Sequence, residues 1–181
     1  MKLEMRALKN IAAAAMTLAV VFGAASLKPV TANAAEASVS ASIEEENSYI
    51  SFQDEAYQNE FLRRVNNERV KAGLKPVQLG DSNHNSAAQE RAEEIATVNS
   101  HVRPNGTKWY TVLSEYGVTD AAAGENAAWG NVSPEEVVNA WMNSEGHRAN
   151  ILDPEARAMG VGYYYNSSST WGHQWIQLFT K

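Results

Sequence analysis

The hydrophobic period of this chain changes once, and that change restricts the fold more than any other feature. Up to Met142 the apolar residues recur at helical spacing; from Ala158 onward they follow the pattern of strands. Asp54 can cap a first helix through Tyr57, Phe61, Leu62 and Val65, with Gly73 as its stop and Pro76 beyond. Asp81 or Ser82 can cap a second through Ala87, Ala88, Ala92, Ile95 and Ala96, whose alanines permit close packing. Tyr110, Leu113 and Tyr116 suggest a short third helix ending at Gly117. Ser133-Pro134-Glu135-Glu136 is the clearest start: a serine cap, proline at the first helical position, and a glutamate closing a capping box. Val137, Val138, Trp141 and Met142 bury one face of that helix, and Gly146 is expected to end it, leaving His147 in a turn. Strands are expected at 126–129, 158–165 and 171–179, with 166–170 as a polar turn. Helices first and a hairpin last give an α+β layered domain.

The folded part is expected to occupy residues 52–181. Lys2, Arg6 and Lys9 precede the apolar stretch Ile11–Ala25, and Ala32-Asn33-Ala34 fits a signal-peptidase site, so residues 1–34 read as a secretory signal cut after Ala34. Fifteen apolar residues are few for a bilayer span, which needs about 20. Residues 35–51, rich in Ala, Ser and Glu, read as a disordered acidic linker. The mature protein is thus expected outside the cell, without a membrane span, as a monomer.

The chain carries a net charge of −6. Removing the leader takes away Lys2, Arg6, Lys9 and Lys28 with Glu4, and leaves the rest more acidic still. No basic patch offsets this, which argues against nucleic acid as a partner. The absence of cysteine excludes disulfides, thiolate metal sites and thiol catalysis. There is no Gly-x-Ser-x-Gly elbow, no His-Glu-x-x-His and no phosphate-binding glycine loop.

Three segments hold the polar candidates: Ser100-His101 to Gly106, Gly124-Glu125-Asn126, and Trp141 to Leu152. His101, Glu125 and His147 together can bind a divalent transition metal, zinc above all, or act as acid and base. Their spacing leaves open whether they meet at all. Glu145 could add a second carboxylate; equally, it is a solvent-facing residue of a last helical turn. Arg103, Arg148 and Asn150 read as residues that bond turns and backbone. In the last strand, His173, Trp175 and Gln177 share one face and Gln174, Ile176 and Leu178 the other, and both faces mix polar with apolar groups. His84, without a partner in its own segment, is expected to be exposed. Tyr163-Tyr164-Tyr165 with Trp171 and Trp175 reads as hairpin packing before carbohydrate stacking.

Residues of about 57–181 resemble the CAP superfamily (cysteine-rich secretory proteins, antigen 5 and pathogenesis-related proteins, also called SCP-like), most closely its secreted bacterial branch. The pieces stand in the family's order: Val65-Asn66-Asn67-Glu68-Arg69 with Gly73-Leu74; Ala87 to Ala96; Ser100-His101 to Gly106; Gly124-Glu125-Asn126; Trp141 to Leu152; and Gly160-Val161-Gly162 followed by Trp175-Ile176-Gln177-Leu178-Phe179. The resemblance implies an α-β-α sandwich, with a small, mainly antiparallel sheet between helical layers and a cleft lined by histidines and glutamates that can hold zinc or another divalent metal. His101 and Glu125 match two of the four family positions. Ser144 stands where the second glutamate is expected, with Glu145 next to it. Gln174 stands where the second histidine is expected, with His173 one step earlier, and His147 is the replacement candidate. The implied cleft residues are therefore His101, Glu125, His147, Glu145 and Gln174, with His101, His147 and Glu125 as metal ligands. The implied function is a non-enzymatic extracellular, envelope or spore-coat module binding a small molecule, lipid, peptide or envelope component. The alternative is a hydrolase, metal-assisted or dependent on histidine and glutamate, in which His101 and Glu125 would be base and orienter.

Overall fold

The computed structural model describes residues 55–181. The expected signal (1–34), the linker (35–51) and the Asp54 cap lie outside the described residues. In chain order the elements are α1 (Glu55–Lys71), β1 (Gln78–Leu79), α2 (Ser82–Ile95), α3 (Thr111–Glu115), β2 (Ala122–Trp129), α4 (Pro134–Met142), α5 (Glu145–Ile151), β3 (Ala158–Asn166) and β4 (Gly172–Thr180).

The hairpin of β3 and β4 forms the centre of a four-stranded sheet in the order β1-β3-β4-β2. β4 is antiparallel to both neighbours, whereas β1 runs parallel to β3 through Gln78 and Leu79. Two residues give no readable alternation, so β1 has no sequence signal of its own. It is fixed instead by Asn66 of α1, which exchanges two hydrogen bonds with the Val77 backbone at 2.8 and 2.9 Å.

Both faces of the sheet are covered. On one face α1, α4 and α5 bring Phe61, Val65, Val138, Trp141 and Ile151 against Val161, Tyr163, Trp175 and Phe179. On the other, α2 and α3 bring Ala88, Ala92, Ile95, Val112 and Leu113 against Ala127, Ile176 and Leu178. This explains the mixed composition of β4: each face meets a helical layer, so apolar residues appear at odd and even positions alike. α2 lies very close to β3. A methyl group built on Gly162 would collide with the Ala88 carbonyl, and one on Gly160 with the His84 carbonyl. The buried indoles find backbone acceptors, Trp141 Nε1 at Ala127 O (3.2 Å) and Trp175 Nε1 at Asn131 O (2.7 Å).

Asp81 is the α2 cap, accepting from the backbone of Asn83 and His84. The Ser133 cap with Pro134 and the reach of Glu136 back to the Val132 backbone are present as the sequence suggests. Two readings need correction. Gly146 does not end the tryptophan helix: α4 stops at Met142, Ser144 takes an extended conformation, and α5 begins at Glu145. His147 therefore sits on a helix, not in a turn. His84 is buried, not exposed, because its Nδ1 meets Asp81 Oδ1 at 2.9 Å and its Nε2 meets Thr180 Oγ1 at 3.3 Å. Thr180 lies 96 residues away, at the end of β4, where no local pattern could reveal it as a partner.

Arg69 is a second feature fixed only in three dimensions. It is 1% exposed at the C-terminal end of α1 and donates to the carbonyls of Lys75, Ile151 and Asp153 at 2.7–2.9 Å. One guanidinium thereby ties α1, the loop to β1 and the end of α5 together.

Candidate functional site

Strand alternation determines what Gly124-Glu125-Asn126 can reach. Glu125 pairs with Leu178 in β4 and Asn126 with Gln177, so the two adjacent side chains enter opposite layers. Glu125 points towards α2 and Asn126 towards α5. Asn126 Nδ2 donates to His147 O and Gln177 Oε1, both at 3.1 Å. Asn150 Nδ2 donates to Asn126 Oδ1 (2.8 Å) and to Glu125 O (3.1 Å), which fulfils the structural role expected of Asn150. These bonds clamp α5 onto β2 and place His147 above the same strand that carries Glu125. Any side chain at Gly124 would run into Asn150.

On the other layer the Glu125 carboxylate, its side chain fully buried, receives Arg91 as a fork: Nε to Oε2 at 2.8 Å and NH2 to Oε1 at 3.1 Å. Oε1 also meets His101 Nδ1 at 2.7 Å. His101 stands at the end of the irregular segment after α2, with 59% of its side chain exposed. Its Nε2 has no hydrogen bond among the described residues. Arg91 continues inward to Glu94 (2.7 Å) and to Ser100 O (3.1 Å). Glu94 takes Arg103 at 2.8 Å, and Arg103 reaches Glu115 at 2.7 Å. A ladder of alternating charge thus runs from Glu115 through Arg103, Glu94, Arg91 and Glu125 to His101. Arg103 does hold the segment around His101, but through carboxylates.

These contacts shift titration in definite directions. The hydrogen bond from Glu125 raises the His101 pKa, and this outweighs partial burial and the charge of Arg91. His147 moves down, first through burial and then through the positive charge of His101, so the two imidazoles feel each other across the cleft. Burial works to raise Glu94, but the bonds from Arg103 and Arg91 reverse it and leave its pKa low.

His101 and Glu125 are in direct contact, with His147 within electrostatic reach. Glu145 and Gln174 lie elsewhere. Glu145 is exposed and, with Met142, Asn143, Arg148, Ala149 and Leu152, lines a shallow hollow of about 470 Å³ on the outer side of α5. Arg148 faces that hollow and does not bond a turn. The Gln174 carboxamide serves the hairpin turn: its oxygen accepts from Ser169 Oγ (2.8 Å) and its nitrogen donates to Tyr164 O (2.7 Å) and Gly172 O (3.0 Å). His173 Nδ1 pairs with the Tyr163 hydroxyl at 2.7 Å, on the other face of β4 from Gln174.

The residue that sequence reading missed is Arg91. Its signal was there: it lies with Ala88, Ala92 and Ile95 on the apolar stripe of α2, where a cation needs a buried anion. Arg91 also bears on the metal that the resemblance implies. Both oxygens of Glu125 are already taken, and its side chain is sealed from solvent. Among the described residues no group of three or more His, Asp or Glu is arranged to hold an ion. As arranged, the carboxylate does not fit the part of a metal ligand.

Comparison with known proteins agrees with the architecture. YkwD of Bacillus subtilis is 41% identical over 123 residues, covering 67% of this chain and 47% of its own length. An extracellular SCP-domain protein of Bacillus anthracis superposes with a TM-score of 0.59 at 25% identity, over 68% of this chain and 39% of that one. An outer surface protein of Borrelia burgdorferi superposes at 0.61 and 20% identity, over 70% and 93%. This chain therefore spans about half of YkwD and two fifths of the B. anthracis protein. The α-β-α sandwich is the fold they share. Residues 62–179 match the cysteine-rich secretory protein family, CAP, and the chain, although it has no cysteine, belongs to that family.

Proposed function

We propose that this CAP domain works outside the cell or in its envelope, spore coat included, as a module that binds a ligand at His101 without turning it over. The carrying observation is the His101–Glu125 pair. A buried, charge-paired carboxylate fixes one nitrogen of an exposed imidazole, and the other nitrogen is left to meet a ligand. With its pKa raised, His101 holds its second proton to higher pH than an ordinary histidine and presents Nε2–H as a charged donor. Val102 and Tyr110, exposed on the same loop, offer apolar contact beside it. The ligand this favours carries an anionic or strongly accepting oxygen next to an apolar portion, as acidic peptides, lipids and envelope fragments do. The pair includes no hydroxyl nucleophile: among the described residues no serine or threonine side chain bonds His101. Neighbours described as extracellular or outer-surface proteins, together with the leader read from the sequence, support action outside the cell.

Titrating the purified chain with acidic peptides, cell-wall fragments and lipid vesicles, followed by calorimetry, tests this. Binding by one class that drops at least tenfold in His101→Ala is expected. Binding indifferent to His101, or none at all, sinks the reading.

One observation favours hydrolysis as a second reading. His101 and His147 are displaced in opposite directions, which is how an acid and a base are set apart at one pH. Turnover of peptide or cell-wall substrates, lost in both His101→Ala and Glu125→Ala, would establish it over the first.

A further inference from the structure

We infer that Arg91 occupies the place on Glu125 that a divalent cation would take, so that the carboxylate of this cleft acts only through His101 and is closed to metals. The inference concerns the same cleft as the proposed binding function but needs no ligand, and either can fail while the other stands.

A buried carboxylate requires a positive partner, because leaving water without one is very costly. Here the partner is built into the chain. The Arg91 fork takes both oxygens of Glu125, and a guanidinium matches that geometry better than any other side chain. Arg91 cannot swing aside cheaply. It is wholly buried, and its remaining donors are committed to Glu94 and to Ser100 O. Displacing it would strand three charged groups in the interior. An incoming dication would also meet the positive charge of Arg91 at close range, in a sealed environment that screens poorly.

The other candidate donors do not make up the loss. Gln174 is spent on the hairpin turn and Glu145 lies on the outer side of α5. That leaves His101 Nε2 and His147, two imidazoles against the four ligands of a structural zinc site or the three protein ligands of a catalytic one. Glu125 then has the place of an outer-shell carboxylate that orients its histidine. Arg91 is a positioning residue: it holds the carboxylate that holds the imidazole.

Zinc calorimetry on the full chain and two variants tests this. Wild type and Glu125→Gln are expected to agree within twofold, or both to show no uptake. Arg91→Gln, which frees the carboxylate, is expected to gain at least tenfold in zinc affinity, and the gain should vanish in the Arg91→Gln/Glu125→Gln double variant. A tenfold or greater loss of zinc affinity in Glu125→Gln overturns the inference, as does a folded Arg91→Gln protein with no gain. If circular dichroism shows Arg91→Gln unfolded, the comparison of wild type with Glu125→Gln decides alone.

Discussion

The imidazole of His101, more than half exposed, is held at 2.7 Å by the carboxylate of Glu125, whose side chain has no contact with solvent. A surface group is thus controlled from the interior. Its protonation depends on a buried charge, and that charge depends on Arg91.

The titration of the two cleft histidines should separate. Their ordinary value is 6.5, and His101 lies above it while His147 lies below. A histidine whose folded pKa is raised adds stability that is complete below its unfolded value and is lost as pH rises through the folded one. The stability difference between wild type and His101→Gln should therefore be largest below about pH 6.5, and should shrink as pH climbs through the His101 value. His147 acts in the opposite sense. Its contribution is present above the unfolded value and disappears as pH falls through the lowered one. Ring-proton NMR titration resolves the order of the two, and urea melts across pH 5 to 9 give the stability trend. A His101 midpoint below that of His147 would contradict the hydrogen-bonded pair.

Replacing Arg91 by Ala should cost about 3–5 kcal/mol at neutral pH, the range for breaking a buried ion pair from one side. Protonation of the stranded Glu125 should recover part of the loss at low pH. The Arg91→Ala/Glu125→Ala double variant should lose clearly less than the sum of the singles, since removing both partners leaves no orphaned charge on that contact. Denaturant midpoints of the four proteins close the cycle.

Gly162→Ala should destabilise by about 1–3 kcal/mol or more, the scale for overpacking a filled core. The added methyl meets backbone of α2 at Ala88 and Gln89, which cannot rotate away as a side chain can. Gly146→Ala is the control. It lies in α5 with open space around it, and alanine there should stabilise by up to about 1 kcal/mol through helix propensity. Thermal melts of both distinguish steric from conformational effects.

Arg69→Met should cost about 3 kcal/mol, because the carbonyls of Lys75, Ile151 and Asp153 lose their donor in a part-buried place. Arg69→Lys should recover little, as an ammonium cannot span three separated acceptors in a plane. The His101 midpoint should not move in either variant. A shift there would mean that the α1 end and the cleft are coupled through α5.

The helices, the hairpin and the order of the polar segments were all readable along the chain. Ser133-Pro134 and Asp81 act within one turn of their own position, and the β3–β4 register follows from two strands joined by a short turn. Local sequence therefore carries that information. The end of α4 was misread because Gly146 is a common stop signal, whereas the break comes at Asn143 and Ser144, two residues with no strong propensity to announce it.

The chain's own pattern settled that helices pack on a small sheet, and it marked His101, Glu125 and His147 as the residues to watch. Only the tertiary structure decided what they touch. Alternation sends Glu125 and Asn126 into opposite layers once β2 is paired, but the partners they find there come from α2 and α5. Arg91 and Glu125 are 34 residues apart, and His84 and Thr180 are 96. A buried charge chooses its counter-charge by proximity in space, because desolvation is relieved only at contact distance, and that distance is set by how the layers close.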